Sequence, residues 1–113
     1  MVIGCGSVGL YTVIAAMTFK PKHPFAVHGV DSRLELAKGL GAEPLNFAKD
    51  KEGMERRIKE VTEGRDADVV IEVVGLDPAL KTAFDLIRRW GIISSIGVHN
   101  GEVCLSLGSL NWV

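Results

Sequence analysis

The sequence predicts a single α/β domain, a parallel sheet wound on both faces by helices. Short apolar runs alternate with helical segments along the chain, and that alternation builds βαβ units. The run from Asp68 to Val74 is strongly β-branched, as suits a strand buried on both faces. A glycine loop stands where the first run gives way to the first helix. A chain of 113 residues fits one domain. At that size roughly 65% of the unfolded surface is buried, enough for a core without disulfide or metal staples.

The elements follow in order. Met1 to Ile3 is a short apolar strand ending in glycine, and Leu10 to Phe19 is a compact apolar helix stopped by Pro21. Phe25 to Val30 is the second strand. Ser32 opens a helix, with Glu35 three residues on as a capping box, and Gly41 stops it. Pro44 to Phe47 is a short third strand. Met54, Ile58 and Val61 lie at spacings of four and three among charges, which predicts a surface helix with one buried stripe, ended by Gly64. Asp68 to Val74 is the fourth strand. Asp77 is placed to cap the next helix, with Pro78 at its first position. Leu80, Ala83, Phe84 and Ile87 form that helix's apolar face, Arg88 and Arg89 suit its C-terminal dipole, and Gly91 ends it. Ile92 to Ile96 is a fifth strand, and Glu102 to Leu107 is a candidate sixth. No internal repeat, linker or low-complexity segment interrupts the pattern.

Composition removes several function classes. Thirteen basic and fourteen acidic residues give a net charge of −1, which offers no field to hold a polyanion, so nucleic acid is not an expected partner. Cys5 and Cys104 are too few for a disulfide framework, and His23, His28 and His99 lack metal-ligand spacing; no metal site is expected within the chain. Val2 to Phe19 is uncharged and at the lower edge of a membrane span. No basic segment precedes it, only four residues precede Cys5, and three glycines fall in its first eight residues. A strand, a turn and a buried helix explain the run better, so no membrane partner is expected. With no targeting signal, the cytoplasm is the default location.

Gly4-Cys5-Gly6-Ser7-Val8-Gly9 is a G-x-G-x-x-G that follows a strand and opens a helix, the context that gives the pattern meaning. Gly4 permits the tight turn, Gly6 lets a pyrophosphate approach the backbone, and Gly9 lets the helix lie close to the sheet. The helix start, with Ser7 and Val8, offers free N–H groups and partial positive charge to phosphates. The plainer alternative is a glycine-rich turn with no ligand. A dinucleotide site also wants an acid about 20 residues on, at the end of the second strand, to hold the adenosine ribose. His28 stands there, and Asp31 comes three residues later. Either Asp31 serves from a longer loop or the ribose is held differently. A neutral His28 could accept a hydroxyl hydrogen bond, and Arg33 could contact the ribose or a 2′-phosphate. NAD and NADP therefore both stay open. The other strand tips, Val74-Gly75 and Gly97-Val98, would allow a ring or sugar close to the sheet. Glu72 sits inside an apolar strand, where a carboxylate needs a partner; Arg88 or Arg89 are candidates, in a role more structural than ligand-binding.

These residues resemble the medium-chain, zinc-type alcohol dehydrogenase superfamily. The likeness rests on Val2-Ile3-Gly4-Cys5-Gly6-Ser7-Val8-Gly9, on Arg33-Leu34-Glu35-Leu36-Ala37-Lys38 with Leu40-Gly41-Ala42, on Asp68 to Gly75, and on Gly91 to Val98. It runs in register from about Val2 to Glu102. The resemblance implies a Rossmann-type cofactor-binding domain over residues 1–102, with strand order 3-2-1-4-5-6. Residues 103–113 form a divergent tail. It implies NAD or NADP as cofactor, with the pyrophosphate on the glycine loop, Arg33 near the adenosine ribose, and Val74, Gly75, Gly97 and Val98 beside the nicotinamide. The family reaction is reversible hydride transfer between an alcohol or aldehyde and NAD(P). The family's ribose aspartate falls on His28. Its catalytic zinc ligands lie in a separate domain, so zinc is expected only there. Met1 falls inside the first strand, and the chain is expected to be a portion of a larger enzyme, truncated at that strand and at the tail. No residue is assigned as acid, base or metal ligand. Alone, the chain is expected to be inactive, and a homo-oligomer is a candidate state. Two other classes fit a glycine loop on a parallel sheet: a non-catalytic nucleotide-sensing module, and a methyltransferase-type domain binding S-adenosylmethionine.

Overall fold

The computed structural model describes residues 1–96. The described elements are β1 (Val2–Ile3), α1 (Ser7–Met17), β2 (Phe25–His28), α2 (Asp31–Gly39), β3 (Glu43–Asn46), α3 (Lys51–Val61), β4 (Ala67–Glu72), α4 (Asp77–Leu86) and β5 (Ile87–Ser95). All paired strands run parallel, in the order β3-β2-β1-β4-β5. The doubly wound order expected from the sequence holds as far as β5. The candidate sixth strand, the tail, Gly97 and Val98 lie outside the described residues.

The strand period of two sorts the core into two layers. Val2 and Ala26 point to one face, where Val13 of α1 and Leu34 and Ala37 of α2 cover them. Ile3, Phe25, Val27 and Val70 point to the other, against Met54 and Ile58 of α3 and Ala83 and Leu86 of α4. Two-residue β1 is the central strand, bonded to β2 through Val2↔Ala26 and to β4 through Val2↔Ile71. The glycine loop therefore leaves the sheet from its central strand. The long apolar run at the N-terminus divides into β1, the loop and an 11-residue α1. No helix among the described residues is long and apolar enough to cross a membrane.

Helix starts differ from the sequence expectation for local reasons. α2 begins at Asp31 with Val30 at its N-cap and no side-chain cap, so the Ser32–Glu35 box does not form. The Asp31 carboxylate turns instead toward Asn46 and Lys49, which ties the start of α2 to the loop after β3. α3 has a cap that the apolar spacing did not reveal: Asp50 Oδ1 accepts from the Gly53 N–H at 2.8 Å. A Cβ on Gly53 would lie 2.1 Å from Asp50 Oδ2, so glycine there is what lets the cap close. α4 opens at Asp77 rather than being capped by it, and Pro78 falls in its first turn, where a missing N–H costs nothing.

The largest departure is at the end of α4. The expected helix through Arg89 stops at Leu86, and Ile87 is already extended (φ −83°, ψ 141°) and paired with Ala67. Burying β-branched Ile87 in the α3/α4 layer outweighs one more helical turn. Arg88 therefore does not complement a helix dipole; its Nε donates to Asp68 Oδ1 at 2.6 Å on the adjoining strand. The ladder is irregular there, because Ala67 faces Ile87 while Val69, two residues on, faces Ile92. Trp90 carries the turn in a left-handed conformation (φ 62°) and is 83% exposed.

A bidentate pair ties β3 to α3. Arg57 Nε and Nη2 donate to the two Glu43 carboxylate oxygens at 2.8 and 2.9 Å, which holds the Glu43 carboxyl below its ordinary 4.5. Both side chains are more than a third exposed, so solvent screening limits the pair to less than about 1 kcal/mol. A lowered carboxyl stabilises the fold above pH 4.5, and the contribution disappears as pH falls through the folded-state titration. Glu43→Gln should thus lower the urea midpoint slightly at pH 7, and the gap to the parent chain should close as pH falls below 4.5 and Glu43 takes up its proton in the folded state. A gap that persists once Glu43 is protonated would assign the loss to packing rather than charge.

Candidate functional site

The carboxyl ends of β1, β2 and β4 meet at one edge of the molecule, and the glycine loop rises between them. Gly4 leaves β1 with φ +107°, a conformation open to glycine, and its amide donates to the Val27 carbonyl at 2.8 Å. A Cβ on Gly4 would press to 2.8 Å from methyls of both Val73 and Val74. Gly9, in the first turn of α1, is tighter still: a Cβ there would stand 1.8 Å from the Gly4 carbonyl oxygen. Gly9 is therefore dictated by the approach of α1 to the sheet, and Gly4 by its positive φ and the closeness of the β4 tip. Gly6 is different. A Cβ on Gly6 would meet nothing within 4 Å, so the fold itself does not require glycine there.

The amides of the loop divide in the same way. Those of Gly4 and Cys5 are used internally, by Val27 O and by His28 Nδ1. Those of Gly6, Ser7, Val8 and Gly9 have no acceptor among the described residues. Helix bonding begins only with Leu10 N–H to Gly6 O at 2.9 Å. Gly6 is an N-cap without a side-chain cap, and the first turn of α1 carries no acid. Ser7 and Val8 are exposed beside it. Four amides without an acceptor among the described residues and the positive end of a helix dipole, with open space over Gly6, form a cradle for an oxyanion.

Beside the cradle lies a cavity of about 130 Å³, walled by Ile3, Gly4, Val27, His28, Phe47, Val74 and Leu76 among others. Its lining is almost wholly apolar, which suits a flat base rather than a sugar. His28, at the end of β2, accepts from the Cys5 N–H through Nδ1 at 3.1 Å. The acceptor nitrogen must be unprotonated, so the neutral ring carries its proton on Nε2. This corrects the expectation that neutral His28 accepts from a hydroxyl: its remaining nitrogen can only donate. Burial, and then the nearby Arg33 guanidinium, push the imidazole below its ordinary 6.5.

Of the expected residues, Gly4, His28 and Val74 line this cavity, while Gly6 to Gly9 and Gly75 do not. Asp31 and Arg33 do not line it. Both Asp31 oxygens are engaged, one by Asn46 Nδ2 at 2.9 Å and one by Lys49, which hold that carboxyl below its usual range. Gly75 is buried at φ +83°, and its N–H donates to Glu72 Oε1 at 2.7 Å. Glu72 is fully buried, and its Oε2 also accepts from Ser95 Oγ at 2.8 Å, so one carboxylate joins the tips of β4 and β5. Arg88, one of its expected partners, is held by Asp68 instead. Asn46, Phe47 and Lys49 were not anticipated. Asn46 Oδ1 accepts from the Ala48 and Lys49 amides in an Asx-type turn, and an asparagine closing a strand is the signal that announces one. Among the described residues no three His, Cys, Asp or Glu side chains gather to hold a metal ion, so a zinc site does not fit them.

Comparison with known proteins places this geometry. A family model described as zinc-binding dehydrogenase matches residues 7–111. Zinc-type alcohol dehydrogenase B of Aspergillus flavus is 64% identical over 103 residues, covering 91% of this chain and 24% of that protein. A medium chain reductase/dehydrogenase of an Acremonium species is 51% identical over 106 residues, 94% of this chain and 36% of that one. Among solved structures, the apo form of zinc dependent alcohol dehydrogenase 2 from Streptococcus pneumonia superposes with a TM-score of 0.90 at 34% identity, over 99% of this chain and 32% of that one. The chain thus spans about a quarter to a third of the length of these relatives.

The two kinds of glycine separate under mutation. Gly9→Ala drives a methyl into the Gly4 carbonyl and should cost about 3 kcal/mol or more in urea unfolding. Gly39→Ala, in open space at the end of α2, should instead raise stability by about 0.5 kcal/mol. Equal effects at the two positions would contradict the close approach of α1.

Proposed function

Because the chain belongs to the zinc-binding dehydrogenase family, we propose that it binds a nicotinamide dinucleotide, NAD or NADP, for an alcohol dehydrogenase-type oxidoreductase. The observation that carries this is the set of unclaimed amides from Gly6 to Gly9 at an uncapped helix start, with open space over Gly6. Those amides and the dipole of α1 would hold the diphosphate. The apolar cavity between His28, Phe47 and Val74 would take the adenine. His28 Nε2–H and Arg33 stand on the ribose side as donors, and both could serve a hydroxyl or a 2′-phosphate. Gly75, beyond the end of β4, and Gly97 and Val98, outside the described residues, would lie toward the nicotinamide, with Val74 between them and the adenine cavity that it walls. When bound, the nicotinamide supplies the hydride acceptor or donor. Glu72 keeps the β4 tip in place by anchoring the Gly75 amide, and α1 keeps water from the diphosphate by offering donors in its stead.

The alcohol or aldehyde, and any zinc that polarises it, would belong to the remainder of a longer protein. The chain by itself should therefore show no alcohol-dependent NADH formation, and turnover by purified chain would refute that division of labour. Gly6→Asp gives the sharper test. An aspartate is a good N-cap, so its carboxylate would bond the Val8 or Gly9 amide and leave stability unchanged or a few tenths of a kcal/mol higher. The same carboxylate occupies and repels the diphosphate position. Calorimetric titration should show NAD or NADP binding to the parent chain and a loss of at least about tenfold in the variant. S-adenosylmethionine, which has no diphosphate, is the control. Its binding in place of either dinucleotide would overturn the proposal.

A further inference from the structure

The loop that carries the free amides is fastened on one side only. From Gly6 to Gly9 its amides have no acceptor among the described residues, while Gly4 and Cys5 are pinned to the end of β2. Of these two fastenings, Gly4 N–H to Val27 O continues the strand ladder. The other, Cys5 N–H to His28 Nδ1 at 3.1 Å, depends on a side chain that titrates near neutral pH. The Cys5 side chain adds no comparable tie: it is fully buried, with Sγ 3.9 Å from Val27 O.

We propose that His28 is a positioning residue for the oxyanion cradle, a latch that holds the glycine loop through an unprotonated Nδ1 and lets it go in mild acid. The proposal rests on the dinucleotide reading above and adds its regulation. Protonating Nδ1 turns the acceptor into a donor facing the Cys5 donor at the same distance. The bond is then replaced by repulsion, and the Cys5 amide, whose residue is buried, loses its partner. The surroundings favour the closed latch. Burial of the ring disfavours the imidazolium, and the Arg33 guanidinium on α2 adds to that effect. Asp31, the acid at the start of α2, is occupied by Asn46 and Lys49. From the loop itself the Cys5 thiol is the titratable group, and burial pushes it up, away from ionisation. The cavity walls contributed by β1, β4, α4 and Phe47 carry no titratable side chain.

The experiment measures NAD affinity by calorimetry on the parent chain, His28→Asn and His28→Phe from pH 8 down to the pH at which imidazole nitrogen shifts show His28 protonated in the folded parent chain. Asparagine Oδ1 sits two bonds from Cβ, as Nδ1 does, so it keeps the acceptor and removes the titration. The parent chain should lose about tenfold in affinity for each pH unit below the point where His28 titrates. His28→Asn should stay flat across the range, and His28→Phe should be weaker throughout with no pH dependence. A flat parent profile, tighter binding in acid, or an unchanged profile in His28→Asn would overturn the latch while leaving dinucleotide binding intact. Imidazole nitrogen shifts in the ligand-free chain give an independent readout: a proton on Nε2 is expected at pH 7.5, and a proton on Nδ1 overturns the latch whatever the chain binds. No NAD or NADP binding at pH 8 overturns the dinucleotide reading, and the latch's role with it.

Discussion

The contact between Gly9 and the Gly4 carbonyl governs the functional end of this molecule. There is no room for even one carbon between them. That approach seats the start of α1 on the tip of the central strand, and it aims the helix amides outward at the place where β1, β2 and β4 end. A bulkier residue at either position would tilt the helix, and the donors of Gly6 to Gly9 would no longer share a focus. The neighbouring tips are then fixed relative to this point. His28 holds the outgoing loop from the β2 side, and Glu72 holds the β4 tip and the β5 tip together from the other.

Much of this was legible in the sequence, because it rests on residue types with steep physical preferences. Glycine at Gly4 and Gly9 announces a turn and a close approach, and the β-branched run before Glu72 announces a buried strand. What escaped was set by tertiary partners. Ser32 and Glu35 have the spacing of a capping box, but Asp31 is claimed by Lys49 and Asn46 across from β3, and the helix starts with it. Ile87 has a perfect helical spacing to Ala83 and Phe84, yet its place in the ladder opposite Ala67 prevails. The partner of His28 is out of reach of the sequence for a similar reason: its acceptor nitrogen faces a backbone amide 23 residues earlier, a pairing that no local pattern encodes.

Glu72 shows how a group costly to bury can be kept. A carboxylate inside an apolar strand is tolerated when its oxygens meet donors, and here a backbone N–H and a hydroxyl come from two different strand tips. The sequence marked the residue as anomalous without indicating what it held. Its value lies in location, since it braces the ends of β4 and β5 where the loops leave the sheet.

The uneven stretch between Ile87 and Ile92 loosens one end of the strand without disturbing the other. Four residues of β5 stand between Ile87 and Ile92, where β4 has Asp68 alone between Ala67 and Val69, and the surplus forms a bulge around exposed Trp90. A residue gained or lost there would change the size of the bulge and not the pairing of Ile93 and Ser95 farther along. The far end of the strand therefore holds its register whatever the length of the near end.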